Sequence, residues 1–215
     1  MNSPKQWRTK ISWVLDEAKY LNFEELQKLR ESCKKVKDLA SHNDGLVTVR
    51  DWFMIELGLF TGLRVEEMRN LKCGDLLLEE DRSSIIVRKG KGNKKRVVQI
   101  GQEFKNTCLA FLRWKRKVGQ DTDKDSFLLV SKKGKLTKRA LQKAFKRCAK
   151  KAGLAAHYSI HCLRHTYACF LYKASNHNLK LVQRQLGHSS IKTTEVYANL
   201  MDSDVKEAVE NLYKR

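Results

Sequence analysis

Four of the six histidines in the 215-residue chain lie in one stretch, residues 159–200. Two of its side chains, His161 and Arg164, are three residues apart at the predicted start of a helix, so both project from one face. Tyr197 lies near the end of the same stretch. Imidazole, guanidinium and phenol groups can together carry protons and bind an anion. The stretch therefore predicts a site that handles a phosphate.

His188 and Tyr197 each have a plain alternative interpretation. His188 follows Gly187, a predicted helix C-cap, so it lies at a loop edge from which its ring can reach outward. Tyr197 lies nine residues further on, in TTEVYANL, where hydrophilic neighbours argue against simple burial in a core. Taken alone, a histidine is more often a packing or surface residue, and the chain has six tyrosines. Two distant segments strengthen the functional interpretation.

The first distant segment, TGLRVEEM, places Arg64 just past a tight turn at a helix start. A positive charge is unfavourable in a first helical turn, so an arginine there indicates an anion to bind. The second segment, RKGKGNKKR, is a predicted hairpin loop with Lys91 at its tip, and a solvated charge run is the alternative. A nucleotide-binding P-loop is excluded, because the G-x-x-x-x-G-K-[ST] spacing is missing.

The charge balance of the chain points to a polyanionic partner. Lysine and arginine outnumber aspartate and glutamate by 44 to 24, and the sequence pI is about 9.8. Neutralising phosphates releases condensed counterions, which favours nucleic acid. A membrane surface is disfavoured because no basic amphipathic segment carries a broad apolar face. With no apolar run of roughly 18 residues and no apolar signal core, we expect a cytoplasmic protein.

Six cysteines are scattered along the chain without a C-x-x-C pair. We expect reduced thiols that are mostly buried as small hydrophobic groups. A zinc site is rejected because the paired short spacings of structural zinc sites are missing; its candidate ligands would be Cys162, Cys169, His161 and His165. The sequence has no carboxylate cluster suited to Mg²⁺, so neither a metal nor a cofactor is expected.

The hydrophobic spacing predicts a mainly helical chain. Asn22 and Glu25 form a predicted capping box at the first helix, and Gly62 a C-cap for the second. Helices are predicted over residues 47–60, 65–71, 103–117, 137–152, 162–174, 178–186, 191–198 and 203–213. Strands are predicted over 76–78, 85–88 and 96–100, with a further edge strand over 126–130. The predicted fold is α+β, mainly α, with one small three-stranded antiparallel sheet.

These elements carry five short motifs in order: TGLR, GKGN in a hairpin, H-x-L-R-H, LGH, and a tyrosine nine residues after the LGH histidine. Over about residues 22–213 the set resembles the tyrosine recombinases, the phage-integrase family. The resemblance implies a catalytic domain that cuts and rejoins double-stranded DNA at specific sites. It further implies a covalent 3′-phosphotyrosine intermediate that needs neither a metal nor ATP.

The resemblance also implies roles for the nucleophile and its histidines. Tyr197 resembles the family's nucleophile, His161 the first histidine, which carries a proton, and His188 the second, which hydrogen-bonds the phosphate. A phenol has a pKa near 10, so only about one in a thousand is ionised at neutral pH. The attacking hydroxyl must therefore lose its proton to a neighbouring base such as His161.

The cationic residues complete the implied site. Arg64 and Arg164 resemble the two arginines that clamp the phosphate, and planar guanidinium groups suit the charge on its nonbridging oxygens. Lys91 resembles the hairpin lysine that protonates the leaving 5′-oxygen, and Glu67 fits the family's supporting acidic residue. Further basic side chains in the hairpin and in the basic helix are expected to contact DNA: Lys89, Lys94, Lys95, Lys138, Arg139 and Lys143.

The chain departs from the family in one respect. Most members carry a helical DNA-binding domain before this region, whereas only a short preface, residues 1–20, precedes the predicted catalytic domain over 21–215. The chain is therefore either an excised catalytic domain or a naturally short member similar to the fimbrial-switch invertases. Two other functions stay open: a type IB topoisomerase, which uses a similar residue set, and a non-cutting DNA-binding regulator derived from a recombinase.

The predicted last helix carries Val205, Val209 and Leu212 near one face. This stripe is too small to anchor itself on a core already built, so a groove on another protomer is its expected partner. Packing on its own domain is the alternative. We therefore expect a monomer in free solution that forms dimers or tetramers on DNA through this helix.

Overall fold

A computed structural model describes residues 19–40, 45–79, 83–88 and 95–197 of the chain. Within these ranges the chain confirms the predicted mainly helical α+β fold. The helices are α1 Phe23–Ala40, α2 Leu46–Thr61, α3 Val65–Asn70, α4 Gln102–Lys117, α5 Lys138–Lys151, α6 His161–Ala174, α7 Leu179–Leu186 and α8 Lys192–Glu195. The strands are β1 Leu76–Leu78, β2 Ser83–Val87, β3 Arg96–Gln99, β4 Val130–Ser131 and β5 Gly134–Lys135.

Strands β1, β2 and β3 form one antiparallel sheet in that order, as predicted. Ile85 in the central strand pairs with Leu76 on one side and with Val98 on the other, and all three are buried. The predicted edge strand over residues 126–130 is wrong, because only Val130 enters a strand. That strand, β4, pairs with β5 in a separate two-stranded ribbon.

A buried lysine explains why residues 126–130 do not extend the sheet. The Nζ of Lys115, near the end of α4, donates to the carbonyls of Phe127 at 3.1 Å and Leu128 at 3.3 Å. The side chain is fully enclosed, and burial lowers the pKa of Lys115. The backbone N–H of Leu128 donates to the carbonyl of Leu71, as part of an isolated antiparallel bridge between Lys72 and Phe127. Two carbonyls of this segment therefore accept from a lysine, and its pairing with the chain before β1 is limited to one bridge.

The predicted helix ends are confirmed where local side chains or glycines set them. The backbone N–H of Asn22 donates to Glu25 at 3.0 Å, and that of Glu25 donates to Asn22 at 2.9 Å. The hydroxyl oxygen of Thr137 accepts from a backbone N–H three residues later, at the start of α5. Gly62 and Gly187 end α2 and α7 with φ of 59° and 65°, a region that glycine enters without steric cost.

Helix α2 lies at the centre of the fold and packs against α1, α4, α5 and α6. Its Phe53 stacks on Phe111 of α4 with ring centroids 3.8 Å apart, and on Phe104 at 6.1 Å. A methyl group at Gly58 of α2 would come within 2.7 Å of Leu163 of α6. The missing side chain therefore allows α6 to pack closely against α2 and fixes the distance between the two helices.

Several predicted features lie outside the described residues. These are the preface up to residue 18, the loop with Lys89, Lys91 and Lys94, and the helix over 203–213. All six cysteines lie in the described ranges and are buried as free thiols, as expected from the sequence. Among the described helices, none combines the length and apolar character that crossing a membrane requires.

Candidate active site

The first turn of α6 carries a buried guanidinium group at the centre of the site. Arg164 is only 6% exposed. Its Nη1 donates to the carbonyl of Gly62 at 2.5 Å, and its Nη2 donates to the carbonyl of Leu186 at 2.9 Å. These carbonyls belong to the C-terminal ends of α2 and α7, where the helix dipole is negative. Two helix ends therefore hold one cation in a fixed orientation.

Arg164 remains a cation in this enclosed position. Burial, together with the positive charge of Arg64, lowers the pKa of Arg164 to about 10. The group is still protonated at neutral pH, and the two carbonyls that accept from it are uncharged. A bound phosphate would give Arg164 a fully charged partner, and charge-assisted hydrogen bonds are roughly twice as strong as neutral ones.

Arg64 is held differently, by the buried carboxylate of Glu67. Arg64 caps the start of α3, as predicted, and its backbone N–H donates to Glu67 Oε2 at 2.8 Å. Its Nη1 donates to Glu67 Oε1 at 3.1 Å. Arg96 of β3 donates to the same two oxygens at 2.7 and 2.9 Å. One carboxylate therefore orients two arginines.

Arg96 is a residue that sequence reasoning missed. It lies in a basic run around the hairpin, where a solvated charge was the plain interpretation. The available signal was Glu67, because a carboxylate predicted next to the site needs a cationic partner when it is buried. Arg96 also donates from Nε to the carbonyl of Gln185 at 3.3 Å. It therefore joins the sheet to both α3 and α7.

His188 connects Arg164 to the segment that carries the tyrosine. Its Nε2 lies 2.8 Å from Nη2 of Arg164, and its Nδ1 lies 3.0 Å from the hydroxyl oxygen of Thr194. A guanidinium can only donate, so Nε2 accepts and the ring proton lies on Nδ1. Burial, followed by the charge of Arg164, lowers the pKa of His188 to about 3. The ring lies half-buried against Arg164 and does not extend outward from the loop edge.

Tyr197 is buried, and the expectation drawn from its hydrophilic neighbours is wrong. Only 2% of its surface is exposed, and it belongs to a small cluster with Ala168, Cys169, Tyr172, Val182 and Leu186. Thr194 is also fully buried, three residues earlier, whereas Thr193 and Glu195 are exposed. A short helix turns one face inward, so the polarity of adjacent residues does not report the burial of Tyr197.

The hydroxyl of Tyr197 lies 3.1 Å from Nδ1 of His165, and its ring is nearly parallel to that of His188, with centroids 6.5 Å apart. Burial raises the pKa of Tyr197 to about 12, although the charge of Arg164 opposes that change. The phenol is therefore neutral at pH 7. Sequence reasoning did not assign His165 to the tyrosine, and no local signal joins two residues so far apart in the chain.

His161 lies at the rim of the site, at the first position of α6, as predicted. It is exposed, and it lines a cavity of about 410 Å³ together with His165 and Lys19. Burial of part of the ring, followed by the charges of Lys138 and Arg164, lowers the pKa of His161. Among the residues that the structure describes, no group of three or more His, Cys, Asp or Glu side chains could hold a metal ion.

The predicted DNA-contacting residues fall into two groups. Lys95 is exposed at the base of the hairpin, and Lys138, Arg139 and Lys143 are exposed on α5. The charge of Lys138 helps to lower the pKa of His161, so α5 begins beside the rim of the site. The other predicted contacts, together with the proposed acid, lie outside the described residues: Lys89, Lys94 and Lys91.

Residues 19–204 match the model of the phage integrase family. The chain therefore belongs to that family. The tyrosine recombinase XerC of Caldanaerobacter subterraneus subsp. tengcongensis is 34% identical over 191 residues, which cover 88% of this chain and 50% of the relative. The tyrosine recombinase XerH of Campylobacter jejuni is 34% identical over 189 residues, covering 84% of this chain and 50% of the relative.

Solved structures of the same family share the fold. The post-cleavage complex of the XerH site-specific recombinase with its palindromic difH substrate superposes with a TM-score of 0.74 and 31% identity. That match covers 93% of this chain and 54% of the other. The XerA recombinase gives a TM-score of 0.70 and 30% identity, covering 91% and 65% of the two chains. The chain spans about half the length of the curated relatives that it matches.

Proposed function

We propose that this chain is the catalytic domain, residues 21–215, of a site-specific DNA recombinase. It cuts and rejoins double-stranded DNA through a covalent bond between Tyr197 and a 3′-phosphate. The observation that carries the proposal is the convergence of a tyrosine hydroxyl, two histidines and a buried arginine whose hydrogen-bond acceptors, within the described part of the chain, are all uncharged. The family of the chain and the difH complexes of XerH support DNA as the substrate.

The two arginines act as a clamp on the scissile phosphate. Arg164 presents a guanidinium whose orientation is already fixed by Gly62 and Leu186. Arg64 presents a second one, 28% exposed at its side chain and steadied by Glu67. Charge builds up on the nonbridging oxygens in the transition state, and preorganised donors stabilise it there without reorganisation. A planar fork matches two phosphate oxygens at once, which an ammonium group cannot do.

His188 changes its hydrogen-bonding role when a phosphate arrives. Without DNA, Nε2 accepts from Arg164 and therefore has no proton to donate. A phosphate that takes over the contact to Arg164 would leave Nε2 free of that donor. Its negative charge would also raise the pKa of His188, which Arg164, Arg64 and Arg96 hold down. In the complex, His188 then becomes a donor to the phosphate.

Lys91 is the acid that protonates the leaving 5′-oxygen. An alkoxide leaves poorly, so an acid at that atom lowers the barrier substantially. A substrate with sulfur at the 5′-bridging position needs little protonation, because a thiolate leaves readily. We expect Lys91→Ala to cleave the sulfur substrate almost normally and the oxygen substrate poorly. An equal defect with both substrates would reduce Lys91 to a phosphate contact.

The central experiment uses a nicked duplex library with a randomised central sequence. Cleavage next to the nick releases a short fragment and traps the covalent complex, so the recovered DNA also reports the target sequence. Tyr197→Phe removes only a hydroxyl and should abolish the adduct while folding and DNA affinity change little. Tyr172→Phe, in the same buried cluster, is the matched control and should keep full adduct formation.

The outcomes separate the competing functions. A sequence-selective adduct that disappears with Tyr197→Phe supports a recombinase, whereas an adduct that persists would mean that another residue attacks. Adducts without sequence preference, accompanied by relaxation of supercoiled plasmid, would favour a type IB topoisomerase. Stable DNA binding without any adduct would favour a non-cutting regulator.

The DNA contacts and the assembly complete the proposal. Exposed cations on α5 contact the DNA phosphates. Replacing any one of Lys138, Arg139 and Lys143 with alanine should lower the slope of log affinity against log salt concentration by about one.

We expect a monomer in free solution and cooperative dimers or tetramers on paired sites. Residues 203–213 would link the protomers, and the assembly would supply affinity by multivalency. Deleting 203–215 should abolish the cooperativity and leave single-site binding intact. Unchanged cooperativity would exclude the tail as the link.

A further inference from the structure

The hydrogen bond of the Tyr197 hydroxyl points to a base other than His161. The hydroxyl oxygen lies 3.1 Å from Nδ1 of His165, within the range for proton transfer. His161 is one turn earlier on α6, exposed at the rim, and the charges that act on it are those of Lys138 and Arg164. The buried phenol therefore contacts the second histidine of the H-x-L-R-H motif.

We propose that His165 is the catalytic base that accepts the proton of Tyr197 during DNA cleavage, and that the adjoining cavity passes this proton to solvent. This inference rests on the proposed function, since it assigns a residue of the same site. His165 touches the reacting oxygen, which no other assigned residue does by hydrogen bond in the described part of the chain.

The cleavage step moves one proton off the attacking oxygen and one proton onto the leaving oxygen. The O–H bond of Tyr197 breaks and its oxygen bonds to phosphorus, while the bond between phosphorus and the 5′-oxygen breaks. The phenol proton goes to Nδ1 of His165, and the 5′-oxygen takes a proton from Lys91. Rejoining runs the same steps in reverse: His165 returns a proton to the departing phenol, as microscopic reversibility requires.

The protonation state of His165 suits this role. Burial, followed by the charge of Arg164, lowers the pKa of His165 to about 4, so the ring is neutral at pH 7. With the ring hydrogen on Nε2, Nδ1 offers a lone pair to the hydroxyl. The groups that act electrostatically on His165 or Tyr197 come from α6, from the segment before α1, from the start of α3 and from the loop after α7: Arg164, His161, Cys169, Lys19, Arg64 and His188.

DNA strengthens the base at the moment it is needed. Arg164 is the neighbour with the largest electrostatic effect on His165, and a phosphate bound to Arg164 would offset that positive charge. The pKa of His165 should therefore rise when DNA binds. A histidine that titrates only at low pH in the free protein becomes a better proton acceptor in the complex.

The cavity beside His165 gives the proton an exit. It has a volume of about 410 Å³, far more than the roughly 10–15 Å³ that one water requires. Polar side chains from three segments line it together with His165: Lys19, His157, Tyr158, Ser159 and His161. His161 at the rim then serves as the next proton carrier, which keeps the role implied by the family resemblance while moving it one step outward.

The decisive variant is His165→Asn. The asparagine side-chain oxygen lies near the position of Nδ1 and can accept a hydrogen bond from the phenol, but it does not take a proton. We expect single-turnover cleavage of the trapped substrate to fall by about a hundredfold or more, at unchanged DNA affinity. His177→Asn is the matched control, because His177 has a φ of 61° that asparagine tolerates and lies outside the site.

Two further measurements separate chemistry from structure. Added imidazole should restore part of the cleavage by His165→Ala through the cavity, and a purely structural role would not respond. In the wild-type protein, the ring ¹⁵N shifts should show His165 as the Nε2–H form, with a pKa that rises on DNA binding. This second measurement needs no variant, so it holds even if His165→Ala is unstable.

Each outcome has one meaning. Normal cleavage by His165→Asn would overturn the assignment, and faster cleavage would show that His165 restrains Tyr197 instead of activating it. An Nδ1–H ring in the wild-type protein would also overturn it. If the wild-type protein forms no adduct at all, the proposed function fails first, and the two failures are thereby distinguished.

Discussion

The two arginines of the site occupy opposite electrostatic environments. Arg64 is paired with the carboxylate of Glu67, which it shares with Arg96, before any substrate arrives. Arg164 is more deeply buried, and the carbonyls of Gly62 and Leu186 that accept from it are neutral. Among the described residues, one cation is therefore hydrogen-bonded directly to a carboxylate, and the other is held by uncharged acceptors, with Glu67 acting on it only at a distance.

This difference indicates a division of labour. A compensated cation costs less to bury than an unpaired one, but it gains less from a phosphate, since the phosphate must compete with Glu67. A cation held by helix ends gains a directly bound anion when the substrate binds, and its position is already fixed. We infer that Arg164 contributes mainly to transition-state stabilisation and that the Glu67 cluster contributes mainly to the stability of the site.

The largest expected effect is on stability, from Glu67→Gln. It leaves Arg96 and Arg64 next to each other without their counter-ion, and removing one partner of a buried pair costs about 3–5 kcal/mol. Urea unfolding at pH 7 measures this loss. Glu66→Gln is the matched control, because its ion pair with Arg69 is exposed and such pairs contribute about 1 kcal/mol or less. Equal effects of both substitutions would contradict the compensated cluster.

The pH dependence of stability tests the same carboxylate. Burial alone would raise the pKa of Glu67, but the hydrogen bonds and charge of Arg96, with those of Arg64, lower it below the usual value. A folded-state pKa below the unfolded one adds stability that is present above the unfolded pKa of about 4.3. This contribution to stability is lost as the pH falls through the pKa of Glu67 in the folded protein. In the Glu67→Gln variant, the decrease in the free energy of unfolding over this acidic range should be absent.

The next effect is on catalysis, from Arg164→Lys. The ammonium keeps the charge, but it cannot bridge two carbonyls and a phosphate with a planar fork. We expect single-turnover cleavage to slow by roughly a hundredfold or more, the scale of losing one preorganised donor. Arg184→Lys, at an exposed position of α7, should cleave normally. Near-normal cleavage by Arg164→Lys would show that charge alone suffices there.

A smaller loss is expected from Arg64→Lys. Lysine at this position still faces the carboxylate of Glu67, and the backbone N–H of residue 64 still donates to it. We expect a loss of about tenfold in the same cleavage assay, since part of the positive charge is retained near the phosphate. A loss larger than that of Arg164→Lys would reverse the assigned division of labour.

The smallest effect concerns the orientation of His188. Thr194→Val keeps the shape of a fully buried side chain and removes the hydroxyl that accepts from Nδ1 of His188. Losing one hydrogen bond of about 1 kcal/mol corresponds to roughly fivefold slower cleavage. Thr193→Val, at the exposed neighbouring position, should have no effect. If both variants behave alike, the hydroxyl does not position His188.

Local features of the fold were predictable because the signal and its consequence lie in the same few residues. The capping box of Asn22 and Glu25, the cap at Thr137, and the glycine at position 62 each act over three or four residues. The order of the motifs was equally informative about the family, because recognising it requires only residue types and their spacing.

What the sequence did not reveal depends on residues brought together from distant segments. Arg96 meets Glu67 across 29 residues, and His165 meets Tyr197 across 32. The burial of Tyr197 follows from the face that a short helix turns inward, which neighbouring polarity does not indicate. The backbone carbonyls of Phe127 and Leu128 accept from Lys115 of α4, a contact that the strand-like sequence of this segment does not indicate.

The close contact of α2 and α6 at Gly58 has a consequence for mutational scanning. An alanine there would gain about 1 kcal/mol of helix propensity, while its methyl group, 2.7 Å from Cδ1 and 3.0 Å from Cβ of Leu163, would force Leu163 to shift. The two contributions to folding oppose each other, whereas a displacement of Leu163 also strains the hydrogen bonds that hold the next residue, Arg164, to Gly62 and Leu186. In a library scored for both abundance and recombination, substitutions at position 58 should therefore lose recombination well before they lose abundance. Gly58 has no functional group, yet the effects of its substitution would then resemble those of active-site substitutions more than those of core substitutions.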